Sequence, residues 1–171
     1  MWKTGWDTTS DYSAELALHI RDGSTATEDT KMPRQVVSLS LEDARRAIAA
    51  GERRAAELKV PYNIAVVDAG GGLVAHVRMD GGWLGSVDIA IDKAWTARAF
   101  DMPTDALARL GQSGQQGFGI NTTNHCRVVI FGGGVPVTAN GSVIGGIGAS
   151  GGSVEQDIVV ARAALEGLNL S

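Results

Sequence analysis

The stretch Val143-Ile144-Gly145-Gly146-Ile147-Gly148-Ala149-Ser150-Gly151-Gly152-Ser153-Val154-Glu155-Gln156-Asp157 constrains the fold more than any other part of the chain. It reads as a strand, a turn nearly free of side chains, and a helix start. Ser153 and Gln156 have the spacing of a capping box, so the helix is expected to begin at Val154. Val154, Ile158, Ala161, Leu165 and Leu168 then recur at three- and four-residue spacing and predict one apolar face. Backbone N–H groups at such a helix start, together with the helix dipole, suit an anion. Gly148, Ser150, Gly151 and Gly152 are therefore candidate ligand-binding residues. Gly146 to Gly151 also fits the G-x-G-x-x-G pattern of dinucleotide sites. That pattern belongs to a βαβ unit with an acidic residue about 20 residues further on. The sequence runs only to Ser171, so no following strand and no bound NAD are expected. The simpler role for these glycines is to admit a helix close against a sheet.

Upstream of this stretch, Ser40 and Asp43 predict a capped helix with Leu41, Ala44, Ile48, Gly51, Ala55 and Leu58 on its buried stripe. Tyr62 to Ala69 and Leu73 to Met79 read as a hairpin around Gly70-Gly71-Gly72. Alternation places His76 on the more polar side of that sheet, as a surface histidine or a ligand contact. Ser86 is expected to cap the next helix, whose second stripe (Ile89, Lys93, Thr96, Phe100) mixes a cation and a hydroxyl with apolar residues. Lys93 is then either a snorkelling lysine or a positive charge at a pocket edge. A short helix from Asp105 to Leu110 leads into a polar loop, Gly111 to Asn124, long enough to suggest function. Arg127 to Phe131 reads as a strand, and Asn140-Gly141 as a hairpin turn. The order predicts an α+β domain on an antiparallel sheet.

Residues 1–35 differ in composition, being rich in Thr, Ser, Asp and Glu, and carry Trp2, Trp6 and Tyr12. The chain is thus expected to divide into a 1–35 arm and a 36–171 domain. Tryptophan and tyrosine favour interface centres, so the arm is expected to pack against a neighbouring subunit. Light scattering on a protein lacking residues 1–32 tests this, since an unchanged mass and thermal stability would make the arm a passenger. The net charge of −4 and the lack of a basic block argue against nucleic acid. A single cysteine, Cys126, excludes an internal disulfide framework. With no long apolar run, neither a leader peptide nor a membrane span is expected, and a cytoplasmic location follows as the expectation.

Several segments resemble the GlcG/HbpS family of haem-binding or haem-degrading proteins. They are Ile64 to Gly71, Arg78-Met79-Asp80-Gly81, Ser86 to Thr96, Phe131 to Pro136, and Ile144 to Gly152 with Glu155-Gln156-Asp157. The resemblance spans about residues 38–168 in order. It implies a profilin-like fold with a five-stranded antiparallel sheet, and homo-oligomers from dimer to octamer. It leaves haem as a possible cofactor, and it implies roles in haem binding or in glycolate, diol or aromatic catabolism. Haem-binding relatives can use a histidine near the start of the domain, and none stands between Val36 and Ala75 here. Where relatives tend to have Asn-x-Gly-Arg-like sequences, this chain has Asn124-His125-Cys126-Arg127.

The dispersed histidines form no ligand-spaced cluster, so no structural metal is expected. Glu155 and Asp157 are expected to stabilise a helix start rather than act as an acid–base pair. What remains is a small-anion pocket at the glycine turn, with Lys93, Asn124, His76 and His125 as further candidates. The leading expectation is a protein that binds an anionic small molecule, a carboxylate or a haem-like group. The alternative is a cofactor-independent enzyme of tautomerase, hydratase, lyase or dehalogenase type acting on a small unsaturated acid. His125 would then be the acid–base group and Lys93 the carboxylate anchor. An assembly protein without chemistry is the third possibility.

Overall fold

The structure, a computed structural model, describes residues 34–170. Expectations that fall on residues 1–33 lie outside the described residues.

Helix α1 spans Leu41–Leu58. It starts where the sequence says it should, because the Ser40 hydroxyl accepts from Asp43 N–H while the Asp43 carboxylate accepts from Ser40 N–H. Its buried side is Ala44, Ala47, Ile48, Gly51 and Ala55, whereas Leu41 at the first turn is exposed. Strands β1 (Asn63–Val67) and β2 (Leu73–Arg78) form the hairpin. Asp68 fixes its turn, with one carboxylate oxygen accepting from both Gly70 and Gly72 N–H at 2.8 Å. Helix α2 (Ser86–Ala99) and the short α3 (Thr104–Leu110) follow. Two single 3₁₀ turns, Ile120–Thr122 and Asn124–Cys126, occupy the long loop. Strands β3 (Gly134–Ala139) and β4 (Ser142–Ser150) are joined through Asn140 and Gly141, both at positive φ as a tight hairpin requires. Helix α4 (Val154–Glu166) closes the domain behind the Ser153–Gln156 capping box.

The sheet is antiparallel in the order β2-β1-β4-β3. Helices α1 and α4 pack on one face, over Ile64, Val66, Val137, Ile147 and Ala149. Helix α2 covers the other, over Ala65 and Val67. Four strands are present among the described residues where five were expected. Arg127 to Phe131 is the segment that fails to join the sheet. Its backbone is held by α2 instead: Val129 N–H donates to the Thr96 hydroxyl at 3.1 Å, and that hydroxyl reaches the Arg127 carbonyl at 3.4 Å. A helix side chain thus takes the partners that a ladder would have taken.

Two further expectations need correction. Ser86 does not cap α2; Gly85 stands at that position without a side-chain bond, and Ser86 is a buried helical residue. The buried face of α4 is Asp157, Val160, Ala161 and Ala164, while Val154 is exposed. Val154 and Ile158 lie over Gly132 instead, where a side chain would collide with them. The apolar periodicity was real, but part of it meets a loop rather than the sheet.

Candidate functional site

The organising glycine stretch packs against α2, not only against the helix that follows it. Gly148 lies in β4, where a Cβ would run into the Ala90 carbonyl, and one at Gly146 would run into that of Ala94. The helix backbone therefore rests on the strand backbone, an approach only glycine permits. That approach brings Lys93 of α2 to the end of β4 and the start of α4.

Lys93 has no exposed surface. Its Nζ donates to Asp157 Oδ2 at 2.6 Å and to the Ala149 carbonyl at 3.0 Å, and it sits 4.6 Å from the centroid of the Phe131 ring. It neither snorkels to water nor stands at the edge of a pocket. The other oxygen of Asp157, Oδ1, accepts from Gly151 and Gly152 N–H at 3.1 Å each. The glycine turn does bind an anion, and that anion is the chain's own Asp157. Burial pushes the Lys93 pKa down, and the Asp157 charge opposes the shift. The Tyr62 hydroxyl is buried beside this pair without a hydrogen-bond partner, and burial with the nearby carboxylate pushes its pKa well up. Gly133, at φ 109, closes the site; a Cβ there would stand 2.8 Å from Lys93 Nζ and 2.7 Å from Asp157 Cβ. Ser150 is buried as well, its hydroxyl donating to that of Ser86 at 3.1 Å. The junction is a closed, internally satisfied ion pair that ties α2, β4 and α4 together.

Of the sequence-predicted site residues, Lys93, Gly148, Ser150, Gly151 and Gly152 thus meet at this junction, where Lys93 is committed to Asp157 and the Ala149 carbonyl, Ser150 to Ser86, and the Gly151 and Gly152 N–H groups to Asp157. Sequence reasoning assigned Asp157 only a helix-start role and missed its partner. The mixed stripe Ile89-Lys93-Thr96-Phe100 was the available signal, since both of its polar members proved fully buried.

His125 and Asn124 lie elsewhere, exposed in the loop between α3 and β3. Asn124, His125 and Cys126 have φ of 50, 59 and 61°, a run of non-glycine residues in the left-handed region. Asn and His visit this region singly, but three such residues in succession form a conformation that an ordinary loop avoids. The loop is braced by Gly117 N–H on the Leu110 carbonyl (3.1 Å) and by Cys126 N–H on that of Thr123 (2.9 Å). Phe118 in the same loop is 70% exposed. Arg109 is exposed near the end of α3, onto which the loop folds back. His76 is separate again, on β2 opposite Ala65. Its Nε2 is buried without a partner, and burial lowers its pKa.

The four-stranded antiparallel sheet between two helices on one face and one on the other defines an α+β domain. Residues 39–166 match the family described as haem degrading protein HbpS-like, and the chain belongs to that GlcG/HbpS family. It is 42% identical over 132 residues to the uncharacterized 15.0 kDa protein in the dhaT-dhaS intergenic region of Citrobacter freundii, covering 77% of this chain and 93% of that one. It is 38% identical over 144 residues to the corrinoid adenosyltransferase PduO of Citrobacter freundii. The match covers 84% of this chain but only 42% of PduO. Among solved structures, the PduOC:heme complex superposes with a TM-score of 0.76 at 38% identity, covering 79% of this chain and 98% of that one.

The donor set can be tested against haem. Iron takes an axial imidazole or thiolate. His125 and Cys126 are exposed and supply both donor types in one loop. His76 does not fit as it stands, because its Nε2 is enclosed. Among the described residues no group of three or more His, Cys, Asp or Glu side chains converges as a metal site, and no helix is long and apolar enough to cross a membrane.

Proposed function

We propose that this domain binds an anionic planar ligand of the haem type at the loop between α3 and β3, with His125 as the axial donor. The carrying observation is the left-handed run at Asn124, His125 and Cys126. Strained backbone persists where surrounding structure holds it, and it concentrates at functional sites. Here the strain presents an imidazole to solvent. Phe118 offers the porphyrin an exposed apolar contact in the same loop, and the Arg109 guanidinium, held only by an exposed pair with Asp105 at 3.5 Å, offers a charge for a propionate. Haem, when bound, would supply an iron centre; the chain's own part is to present one ligand and hold the anionic edge. A haem complex of a relative at 38% identity supports this reading.

The pocket expected at the glycine turn is not part of the proposal, because Asp157 takes the Gly151 and Gly152 N–H groups. For the same reason Lys93 is not offered as a carboxylate anchor. Titration with haemin gives a saturable Soret band in this reading, and His125→Ala shifts that band and weakens binding by about tenfold or more. Identical titrations of the two proteins, or no saturable band at micromolar protein, would overturn it.

A further inference from the structure

A second place on the molecule has the makings of a ligand site. Between the β1–β2 turn and the C-terminal half of α2 lies a cleft of about 210 Å³, lined by Ala69, Gly70, Gly71, Trp95, Arg98 and Ala99. It is small beside the roughly 300–1,000 Å³ of drug-sized pockets, which limits an occupant to the size of a single-ring acid or smaller. Its lining carries no carboxylate.

Both side chains that bear donors are held in place. Gly71, at φ 80, lacks the side chain that would stand 3.1 Å from Trp95 Cδ1, so the indole lies against the turn. The Arg127 guanidinium stacks 4.7 Å from the Trp95 ring, and is itself fixed by Asp92 at 2.6 Å. Arg98 Nε donates to the Ala69 carbonyl at 2.7 Å, and its Nη1 to Asp101 at 2.6 Å. A guanidinium has five N–H donors, so the remaining ones are available. The indole N–H is a further donor on the same wall. The nearby carboxylates are committed: Asp68 to its own turn, Asp92 to Arg127, and Asp101 to Arg98. Asp101 is the weakest of these commitments, because its side chain is 55% exposed and its backbone sits at φ 51. An exposed ion pair of this kind is worth little and exchanges readily.

A small cleft whose polar side chains are both donors, with braced walls and an exchangeable carboxylate beside it, is built to receive a carboxylate. We infer that the Trp95–Arg98 cleft binds a small monocarboxylate, which takes the Arg98 N–H groups in place of Asp101 and sets its apolar body against the indole. Preorganisation of both donors by Asp92, Arg127, Ala69 and Gly71 lowers the ordering cost of binding. The inference does not depend on the haem proposal, which uses a different loop.

The test is a titration of the ¹⁵N-labelled full chain with benzoate and with acetate at low salt, read at the indole N–H resonance. Trp95→Phe assigns that resonance by removing it. A saturable shift with benzoate that is absent with benzamide is the expected result. Arg98→Gln should weaken binding by about tenfold or more. Asp101→Asn should tighten it, by roughly twofold to fivefold, because it removes the internal competitor. The second variant keeps the idea falsifiable if Arg98→Gln disturbs the hairpin. No saturable shift in the tens of millimolar, an equal response to benzamide, or unchanged or weaker binding by Asp101→Asn would each overturn the inference. Haemin binding by the Asp101→Asn protein should match that of the parent.

Discussion

The junction around Lys93 and the loop carrying His125 use the left-handed backbone in opposite ways. At the junction the position at φ 109 is Gly133, and its missing side chain is what lets Lys93 and Asp157 meet. In the loop Gly114 and Gly119 are left-handed too, but so are Asn124, His125 and Cys126, where glycine would be cheaper. One region uses glycine to bury charge without strain. The other keeps side chains where strain could have been avoided. The first pattern belongs to a device that holds the fold together, and the second to the surface on which the proposed function rests. The difference also explains why the motif most like a ligand site, the glycine turn, is closed, while the less regular loop is open.

The largest effect that tests this contrast is Asp157→Ala. It leaves the Lys93 ammonium buried with only the Ala149 carbonyl and the Phe131 ring as partners. Breaking a buried pair in this way costs about 3–5 kcal/mol, read as a loss of unfolding free energy in urea. A cost below about 1 kcal/mol would mean that the pair is solvated and that the junction is a reachable site after all.

Gly133→Ala comes next. It places a methyl group in a backbone region that L-residues avoid and within 2.8 Å of the Ala149 carbonyl and Lys93 Nζ. A loss of roughly 1–3 kcal/mol is expected from the backbone alone. In the loop the sign reverses. Cys126→Gly relieves left-handed strain and should stabilise the domain by up to about 1 kcal/mol, seen as a higher denaturation midpoint. A destabilised Cys126→Gly protein would show that the loop is not strained, and would remove the main support for the His125 proposal.

The smallest effect concerns His76. Its folded-state pKa lies below the ordinary 6.5 because burial disfavours the charged ring. The unfolded chain therefore binds more protons between the folded pKa and 6.5, so stability rises with pH through that window. Stability from this group is fully present above about pH 6.5 and is lost as pH falls through the folded pKa. The thermal midpoint should drop on going from pH 7 to pH 5 by more in the parent than in His76→Gln. Equal drops in the two proteins would show that His76 carries none of the acid sensitivity.

Much of the fold was legible before any coordinates. Both capping boxes, the Gly70–Gly72 and Asn140–Gly141 turns, and the β1–β2 and β3–β4 hairpins appear where local sequence placed them. These features depend on residues three or four apart, and their physics is local. The fifth strand misled because Arg127 to Phe131 has strand composition, while its hydrogen bonds go to Thr96, some 30 residues earlier in the chain. The candidate site was legible only in part. His125 stood out as a departure at the loop-to-strand junction, but nothing local revealed that its backbone would be left-handed. The Trp95–Arg98 cleft had no sequence signal at all, because its floor and wall come from a turn and a helix roughly 25 residues apart.

The sequence by itself determined most of the element types, the antiparallel α+β class and the family, since caps, turns and alternation are written in neighbouring residues. Only the tertiary structure decided what the charged and glycine positions do. The sequence placed Lys93 on a helix and Asp157 at another helix start, 64 residues apart, each open to water as far as spacing could tell. Packing α2 onto the glycines of β4 removed the water from both. Two charges taken out of water need each other, so a turn and a lysine that looked ready for a ligand became partners of the chain's own carboxylate. In the proposed function the task of meeting a ligand falls instead to side chains that the fold leaves at its surface.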